Sequence, residues 1–190
     1  HTDADFDTCQ AYANAGARVV TPLFNAMGGL GHRAPGVVGA ALDHGGLSAG
    51  LIADGVHVHP AALRVACAAK AGPGALFLVS DAMAVAGTTL EGFSLGGRWV
   101  ARRAGRLVLG DGTLAGADLD LVRAVNVMTS AAGVPLARAL AMATSVPARL
   151  AGMPEHVGRL TPGATGPMLR LSHAGGQIAL RAVIGGSGAG

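Results

Sequence analysis

The 190 residues are 51% hydrophobic and only 13% charged, a composition that can build one sizeable core and argues against a disordered protein. The net charge is +3, but aromatic residues make up only 3% of the chain. This excludes the stacking surface of a nucleic-acid-binding protein, and no apolar run approaches the roughly 18 residues of a membrane span. The two cysteines are too few for a disulfide scaffold and indicate a reducing compartment.

The first half of the chain alternates short apolar runs, polar loops and helical patterns. A helix is predicted over residues 4–15, ending at Gly16. The remaining predicted elements are strands at 17–20, 51–53 and 76–79 and helices at 37–42 and 61–71, the last opening at Pro60. Strand, loop and helix recur about every 25–30 residues, which is typical of βα units in a barrel or a doubly wound sheet.

The pattern changes after residue 88. The predicted elements are a hairpin-like excursion over 88–112, a turn-rich loop at 111–116, helices at 118–131 and 135–143, a short helix to Leu150 capped at Thr144, and strands at 168–171 and 177–183. We expect these last two strands to sit apart from the βα region.

Asp81 lies at the end of an apolar strand, residues 76–79, with only Ser80 between them. Carboxylates avoid protein interiors unless they are paired, bound to metal or catalytic. Enzymes with parallel sheets place catalytic groups at the carboxyl ends of strands. Asp81 is therefore a candidate catalytic residue, and a helix N-cap or turn aspartate is the alternative.

The loops after the two upstream strands hold further polar side chains: Asn25, Arg33, Asp54, His57 and His59. A histidine, a strand-end aspartate and an arginine near glycines suit metal-assisted hydrolysis of an anionic substrate. The non-functional alternatives are that His59 is a solvated residue beside the helix-opening proline and that Arg33 is an ordinary surface arginine. The glycines at 28–31 lack the full G-x-G-x-x-G pattern, so we predict no dinucleotide site.

Five segments, taken in order, match a set of family motifs. They read H-T-x-A at residues 1–4, T-P-L-F-N-A-M followed by R-A-P-G-V-V-G at 21–39, I-A-D-G-V-H-V at 52–58, L-V-S-D-A at 78–82 and D-G-T-L-A-G at 111–116. Together they resemble the N-acetylglucosamine-6-phosphate deacetylases of the amidohydrolase superfamily, over residues 1 to about 160. The resemblance is to the C-terminal portion of such an enzyme.

The resemblance implies an α/β fold. Residues 1–157 would be half of a metal-dependent (β/α)8 TIM-type barrel, and residues 158–190 would be a small β-sandwich segment with a loose tail. It also implies hydrolysis of N-acetylglucosamine 6-phosphate to glucosamine 6-phosphate and acetate in amino-sugar catabolism. The expected cofactor is a divalent metal cation, Zn or Fe, and the expected partner is a small-molecule amino-sugar phosphate. We expect a cytoplasmic homodimer with no nucleic-acid or membrane partner.

Residue roles also follow from the resemblance. The implied roles are a metal ligand for His1, the catalytic general base for Asp81, a substrate-binding pair for Asn25 and Ala26, recognition of the sugar phosphate for Arg33 and His57, and a substrate-facing loop for Leu114, Ala115 and Gly116. The chemistry is coherent, because a metal lowers the pKa of bound water to about 7 and a carboxylate can then accept its proton.

Two departures from the motifs stand out. Pro22 occupies the position of the family's second metal histidine and offers a metal no lone pair, and the metal-binding glutamate would precede His1. The strand motif expected near the C-terminus is matched only imperfectly at 164–169. We therefore expect a fragment that is inactive alone. The alternatives are a non-catalytic phosphosugar-binding relative and an amidohydrolase acting on a cyclic amide, against which the N-A-M and R-x-P-G segments argue.

Overall fold

The computed structural model describes residues 2–185, which form six helices and eight strands. In chain order they are α1 (Phe6–Asn14), β1 (Val19–Val20), α2 (Gly36–Asp43), β2 (Ser48–Ile52), α3 (Pro60–Ala69), β3 (Leu76–Val79), β4 (Gly92–Leu95), β5 (Arg98–Arg103), β6 (Arg106–Val108), α4 (Leu121–Ser130), α5 (Leu136–Ala143), α6 (Ser145–Leu150), β7 (Met168–Ala174) and β8 (Gln177–Ile184). Within this part of the chain no helix is long and apolar enough to cross a membrane.

The centre of the fold is a parallel sheet with the strand order β1–β2–β3. All five residues of β2 are buried, because helices cover the sheet and this strand lies between two others. Neighbours that follow the chain order are those of a barrel wall. The predicted α/β class is confirmed, but three strands make an open sheet, so a complete barrel is not shown.

The helices begin where local chemistry favours a start. The Asp5 carboxylate accepts a hydrogen bond from the Thr8 N–H at 2.8 Å and starts α1, and Asp120 does the same for Arg123 at the start of α4. Pro60 is the first residue of α3, as predicted. The predicted cap of α6 is only positional, because the Thr144 hydroxyl donates backwards to the Leu140 carbonyl.

The main core lies between the parallel sheet and the helices that pack on it. Its largest fully buried members are Leu23, Leu51, Ile52, Leu63, Leu119, Met128, Val38 and Val125. In α4, the buried residues Ala124, Val125 and Met128 form the stripe that helical periodicity requires.

The predicted excursion after β3 is confirmed and is larger than one hairpin. β4, β5 and β6 form an antiparallel sheet over a second, small core of Val85, Val100 and Leu107. Gly96 and Gly97 make the two-residue turn between β4 and β5, with φ values of +54° and +77° that side chains rarely allow.

Arg102 fastens this small sheet to the rest of the domain. Its guanidinium donates to the carbonyls of Thr88 and Leu90 at 2.8 and 2.7 Å and to Asp118 Oδ1 at 3.0 Å, while its Nε lies 2.7 Å from Asp118 Oδ2. The geometry at Nε does not make a hydrogen bond. The Arg102–Asp118 ion pair is therefore held by charge and by the hydrogen bond from Arg102 Nη2 to Asp118 Oδ1.

β7 and β8 form an antiparallel hairpin, as predicted, but the expectation that it sits apart from the βα region is wrong. The Asn126 amide in α4 donates to the Ile178 carbonyl at 2.9 Å and accepts from the Ile178 N–H at 2.8 Å. Ile178 is 5% exposed and belongs to the main core. The described part of the hairpin is one two-stranded layer, so a β-sandwich is not shown, and the boundary at 157/158 stays a prediction.

We expect Asn126→Ala to loosen the hairpin, because it leaves the N–H and C=O of a buried strand residue without their partner. The free energy of unfolding should fall by about 1–3 kcal/mol, measured by denaturant titration, and the Ile178 amide should exchange faster with solvent. The control is Ser130→Ala, which removes an exposed hydroxyl from the same helix and should change stability by less than about 0.5 kcal/mol. Equal stability of the two variants would contradict the docking role of Asn126.

Candidate active site

The carboxyl ends of the parallel strands open into a pocket of about 690 Å³. Its lining residues are Pro22, Asn25, Ala26, His57, Asp81, Ala82, Met83, Ala84, Phe93, Leu95, Leu114, Ala115 and Gly116. Seven of the nine predicted site residues are in this set. They come from four separate stretches of the chain, at 25–26, 57, 81 and 114–116, and the fold places all four around one pocket.

Two predicted residues are not in this set. His1 lies outside the described residues. Arg33 is exposed and lines a separate cavity of about 490 Å³, together with Asp3, Asp5 and Asp7. Within residues 2–185 the expected pairing of Arg33 with His57 in one pocket is therefore not formed, and a phosphate role for Arg33 stays a prediction.

Asp81 stands at the end of β3 with an exposed side chain and a φ of +48°, in the left-handed region. Phe24 and Ala26, on the loop after β1, also have positive φ values of +75° and +52°. Such conformations are uncommon for residues other than glycine and cluster at functional sites. Among the hydrogen bonds of residues 2–185 none involves the Asp81 carboxylate, so it is not the N-cap of the alternative interpretation.

His57 is held between two acceptors. Its Nδ1 lies 2.6 Å from Asp54 Oδ2, and its Nε2 lies 3.0 Å from the Ala115 carbonyl oxygen. The side chains of His57 and Asp54 are only 8% and 7% exposed. Both ring nitrogens thus have protein partners, and a direct bond to a phosphate would require one of them to be released.

The pair shifts both pKa values in the direction of an ion pair. The hydrogen bond to Asp54 raises the pKa of His57, against the opposing effect of burial, and the Ala115 carbonyl and the charges of Asp54 and Asp81 add to the rise. Burial would raise the pKa of Asp54, but hydrogen bonds from the His57 ring and from the N–H groups of Val56 and His57 outweigh it and lower that pKa. Both shifts favour an imidazolium beside a carboxylate.

The 113–116 loop is fixed directly beside Asp81. The Ala117 N–H donates to the Asp81 carbonyl at 2.8 Å, and the Met83 N–H donates to the Ala117 carbonyl at 3.2 Å. A Cβ at Gly116 would lie 2.8 Å from the Asp81 carbonyl oxygen. Only glycine therefore allows this approach.

The loop that carries Asn25 and Ala26 is fixed by its own backbone and by the start of the chain. The Asn25 side-chain amide donates to the Leu23 carbonyl at 3.2 Å, and the Ala26 carbonyl accepts from the Thr2 N–H at 3.1 Å. The start of the described chain thus runs beside this pocket loop.

Sequence reasoning gave no role to Met83, Phe93 and Leu95, which belong to the apolar wall of the pocket. No motif marks them, and Phe93 and Leu95 reach the pocket only through the tertiary packing of β4. Asp54, which holds His57 without lining the pocket, did carry a signal, namely its spacing of three residues before His57 in a D-G-x-H segment.

The described residues do not by themselves fit a hydrolytic metal ion. Among them no group of three or more His, Cys, Asp or Glu side chains is placed to hold one. The pocket offers Asp81 and a histidine whose two nitrogens are already engaged, and Pro22 has no ligand atom. A hydrolytic site needs about three protein ligands, so any further ligands would have to come from outside residues 2–185.

Comparisons with known proteins agree on one family. A model of the amidohydrolase family matches residues 1–166. The N-acetylglucosamine-6-phosphate deacetylase of Vibrio furnissii is 37% identical over 175 residues, which are 90% of this chain and 43% of that protein. A putative N-acetylgalactosamine-6-phosphate deacetylase of Escherichia coli strain K12 is 38% identical over 148 residues, 78% of this chain and 87% of that protein.

Solved structures give the same picture. The N-acetyl-D-glucosamine-6-phosphate deacetylase of Mycobacterium smegmatis superposes with a TM-score of 0.84 at 33% identity, covering 97% of this chain and 48% of that chain. This chain therefore spans less than half the length of the Vibrio and Mycobacterium proteins.

The Asp54–His57 pair predicts a pH-dependent stability. Because the folded-state pKa of His57 is raised, its contribution is full below about pH 6.5, the ordinary value, and is lost as the pH rises through the folded-state pKa. The folded-state pKa of Asp54 is lowered. The stability that Asp54 contributes is therefore present above about pH 3.9 and is lost as the pH falls through the folded-state pKa. The pair therefore stabilises the fold most between about pH 4 and 6.5.

We expect His57→Phe to lower the free energy of unfolding by roughly 1–3 kcal/mol at about pH 5.5 and by clearly less at about pH 9, measured by denaturant titration. The matched control is His156→Phe, the same substitution at an exposed histidine, which should show no such pH dependence. A loss of stability that is the same at both pH values would contradict the ion pair.

Proposed function

Because the chain belongs to the amidohydrolase family, we propose that it carries the proton-transfer and substrate-binding half of an N-acetylglucosamine-6-phosphate deacetylase. The observation that carries the proposal is Asp81: a strand-end carboxylate without a hydrogen bond among the described residues, facing a pocket that holds six more of the predicted residues. The activity of the whole protein is part of the proposal, since this chain spans less than half the length of the Vibrio furnissii deacetylase.

The reaction breaks the amide C–N bond of the acetamido group. The oxygen of water adds to the acetyl carbonyl carbon, and Asp81 takes the proton that the water gives up. When the C–N bond breaks, the same carboxylic acid returns the proton to the nitrogen, leaving an amine and acetate. One carboxylate thus serves as base and then as acid, which is the ordinary use of a positioned carboxyl group.

Family membership implies a divalent metal cation, which we propose to be Zn or Fe. When bound, such an ion would activate the water and polarise the acetyl carbonyl. The described residues do not complete its site, so the role derived for this chain is that of Asp81 and the pocket walls. His1, which lies outside the described residues, stays the proposed ligand from this chain.

Substrate recognition is assigned to four parts of the chain. Asn25 and Ala26 lie on one loop and residues 114–116 on another, and both loops line the same pocket. These residues would contact the sugar and its acetamide. His57 brings positive charge to the pocket and suits a 6-phosphate. We keep Arg33 as a second residue that would bind the phosphate, because its side chain is exposed and forms no ion pair within residues 2–185.

The sugar itself is to be decided between two epimers, since the relatives are named for N-acetylglucosamine 6-phosphate and for N-acetylgalactosamine 6-phosphate. We propose the first and expect assays to include both. A homodimer and a cytoplasmic location are kept as predictions.

Pro22 favours one second candidate, a phosphosugar-binding relative that has lost its metal and does not turn over. It lines the pocket at the position where the family motif has a histidine. No comparable observation favours a cyclic-amide substrate.

We expect Asp81→Asn to reduce kcat by at least about 100-fold in the full-length protein while leaving substrate affinity largely unchanged, because the amide cannot accept the proton. Acetate release under saturating substrate gives kcat, and calorimetry gives the affinity. The control is Asp43→Asn, the same change at an exposed aspartate at the end of α2. Near-normal kcat in Asp81→Asn would remove Asp81 from the mechanism.

We expect Pro22→His to raise bound metal and acetate release in the full-length protein, because it restores a ligand atom at the pocket wall. Metal analysis of the purified protein and the acetate assay measure the two effects, and Pro22→Ala is the control that removes the proline without adding a ligand. If the Pro22 protein binds metal stoichiometrically and turns over as fast as Pro22→His, the proposal that Pro22 costs the site a metal ligand is contradicted. Tight sugar-phosphate binding with no turnover in the Pro22 form would support the non-catalytic relative.

A further inference from the structure

We propose that Asp54 is a positioning residue of the proposed deacetylase: it holds His57 against the Ala115 carbonyl and thereby fixes the 113–116 loop beside Asp81. The inference rests on the proposed function for its role in turnover, but the contacts that carry it belong to the structure alone. Four successive contacts make the connection.

The first contact is local and orders the loop after β2. Asp54 Oδ1 accepts from the backbone N–H groups of Val56 and His57, both at 2.8 Å. Gly55 between them has a φ of +75°, which allows so tight a turn. One carboxylate oxygen therefore shapes the loop, and the other is left for the ring of His57.

The second and third contacts meet at the His57 ring. Asp54 Oδ2 and the Ala115 carbonyl oxygen lie on its two nitrogens, at 2.6 and 3.0 Å, and neither oxygen has a proton to give. Two acceptors are satisfied only when both nitrogens carry a proton, that is, by the imidazolium. The negative charge of Asp54 is what makes this form stable in a site that is mostly buried.

The charged groups that face His57 are few. Asp54 lies on its own loop, and Asp81 acts on it from the end of β3. The facing segments 25–26 and 113–116 bring no titratable side chain. Both neighbouring charges are negative, so both raise the pKa of His57, and Asp54 is the one in direct contact.

The last contact carries the connection to the proposed catalytic carboxylate. Ala115, which His57 holds, is followed by Gly116, whose backbone passes close to the Asp81 carbonyl, and by Ala117, whose N–H donates to that carbonyl at 2.8 Å. Only Gly116 separates Ala115 from Ala117. The position of Ala115 therefore bears directly on the hydrogen bond to the main chain of Asp81. Asp54 acts on this chain of contacts without lining the pocket.

If Asp54 were only structural, its role would be to shape the turn after β2. The variant Asp54→Asn separates that role from the proposed one, which is to hold the charged His57 ring. The asparagine amide oxygen can still accept from Val56 and His57, so the turn is kept. Its NH2 group then faces Nδ1, which must become an acceptor, and His57 is left neutral with its only proton on Nε2. Asp54→Glu restores the charge, and Asp120→Asn is the matched control, because Asp120 also accepts a backbone N–H three residues on but contacts no histidine.

The experiment follows the His57 Cε1–H resonance by NMR over pH in the full-length protein, with His57→Phe assigning the peak. We expect a pKa above about 6.5 in the wild type and in Asp120→Asn, a fall of at least one unit in Asp54→Asn, and recovery in Asp54→Glu. An Asp54→Asn protein whose His57 titrates as in the wild type overturns the proposal. This readout does not need deacetylase activity.

Kinetics then test the functional half. If the protein is a deacetylase, the alkaline limb of kcat/KM should move to lower pH in Asp54→Asn by the same amount as the His57 pKa, whereas a lost turn would lower kcat/KM at every pH. An active Asp54→Asn enzyme with an unmoved limb overturns the positioning role and leaves the proposed function standing. Absence of acetate release from every form would instead overturn the proposed function, with the titration still deciding the role of Asp54.

A second measurement covers the case in which Asp54→Asn does not fold. His57→Phe keeps the Asp54 turn and the ring volume but removes the bond to Ala115. We expect the Ala117 amide to exchange with solvent at least about tenfold faster in this variant, with the amides of β2 unchanged. Unchanged protection at Ala117 overturns the proposal.

Discussion

Among the described residues, the bond between the His57 ring and the Ala115 carbonyl is the one hydrogen bond that joins the loop after β2 to the 113–116 loop. A parallel sheet brings strand ends to one edge, but it does not set the loops that leave them. The 113–116 loop follows an antiparallel excursion with a small core of its own. Arg102 and Asp118 fasten that excursion as a body, and the Ala115 N–H donates to the Leu107 carbonyl within it at 2.9 Å. His57 adds a contact to the same loop from a position 58 residues away. The charge of one buried carboxylate, Asp54, therefore acts on this loop through a single imidazole ring.

Much of the fold could be predicted because its causes are local. β3 is four apolar residues after a Pro-Gly pair, and α3 starts at Pro60 with a run of alanines behind it. The meeting of Asn25, His57 and Asp81 in one pocket follows from these elements, since parallel strands place their carboxyl ends on the same side. The roles given to these residues come from the motif resemblance and not from their positions.

What the sequence could not show depends on pairs of residues far apart in the chain. Asn126 looks like an ordinary polar position of a helix, and only the folded chain brings it to Ile178, 52 residues on, where it docks the hairpin. Arg33 lies near glycines, as an anion site would, but the path of the loop around it has no periodic pattern that could have placed it in a separate cavity. Phe93 reaches the pocket wall for the same kind of reason, through the packing of β4.

Gly116 shows how little freedom natural variation has at the centre of this pocket. A methyl group there would meet the Asp81 carbonyl at 2.8 Å and the Met83 side chain at 2.7 Å, and the first of these is backbone that cannot turn aside. Gly110, six residues earlier, has nothing within 4 Å of the same position and an ordinary φ. Two glycines that look alike in the sequence therefore tolerate substitution very differently. Gly110 has room for the side chain of alanine or serine, whereas a substitution at Gly116 requires the main chain of Asp81 to move.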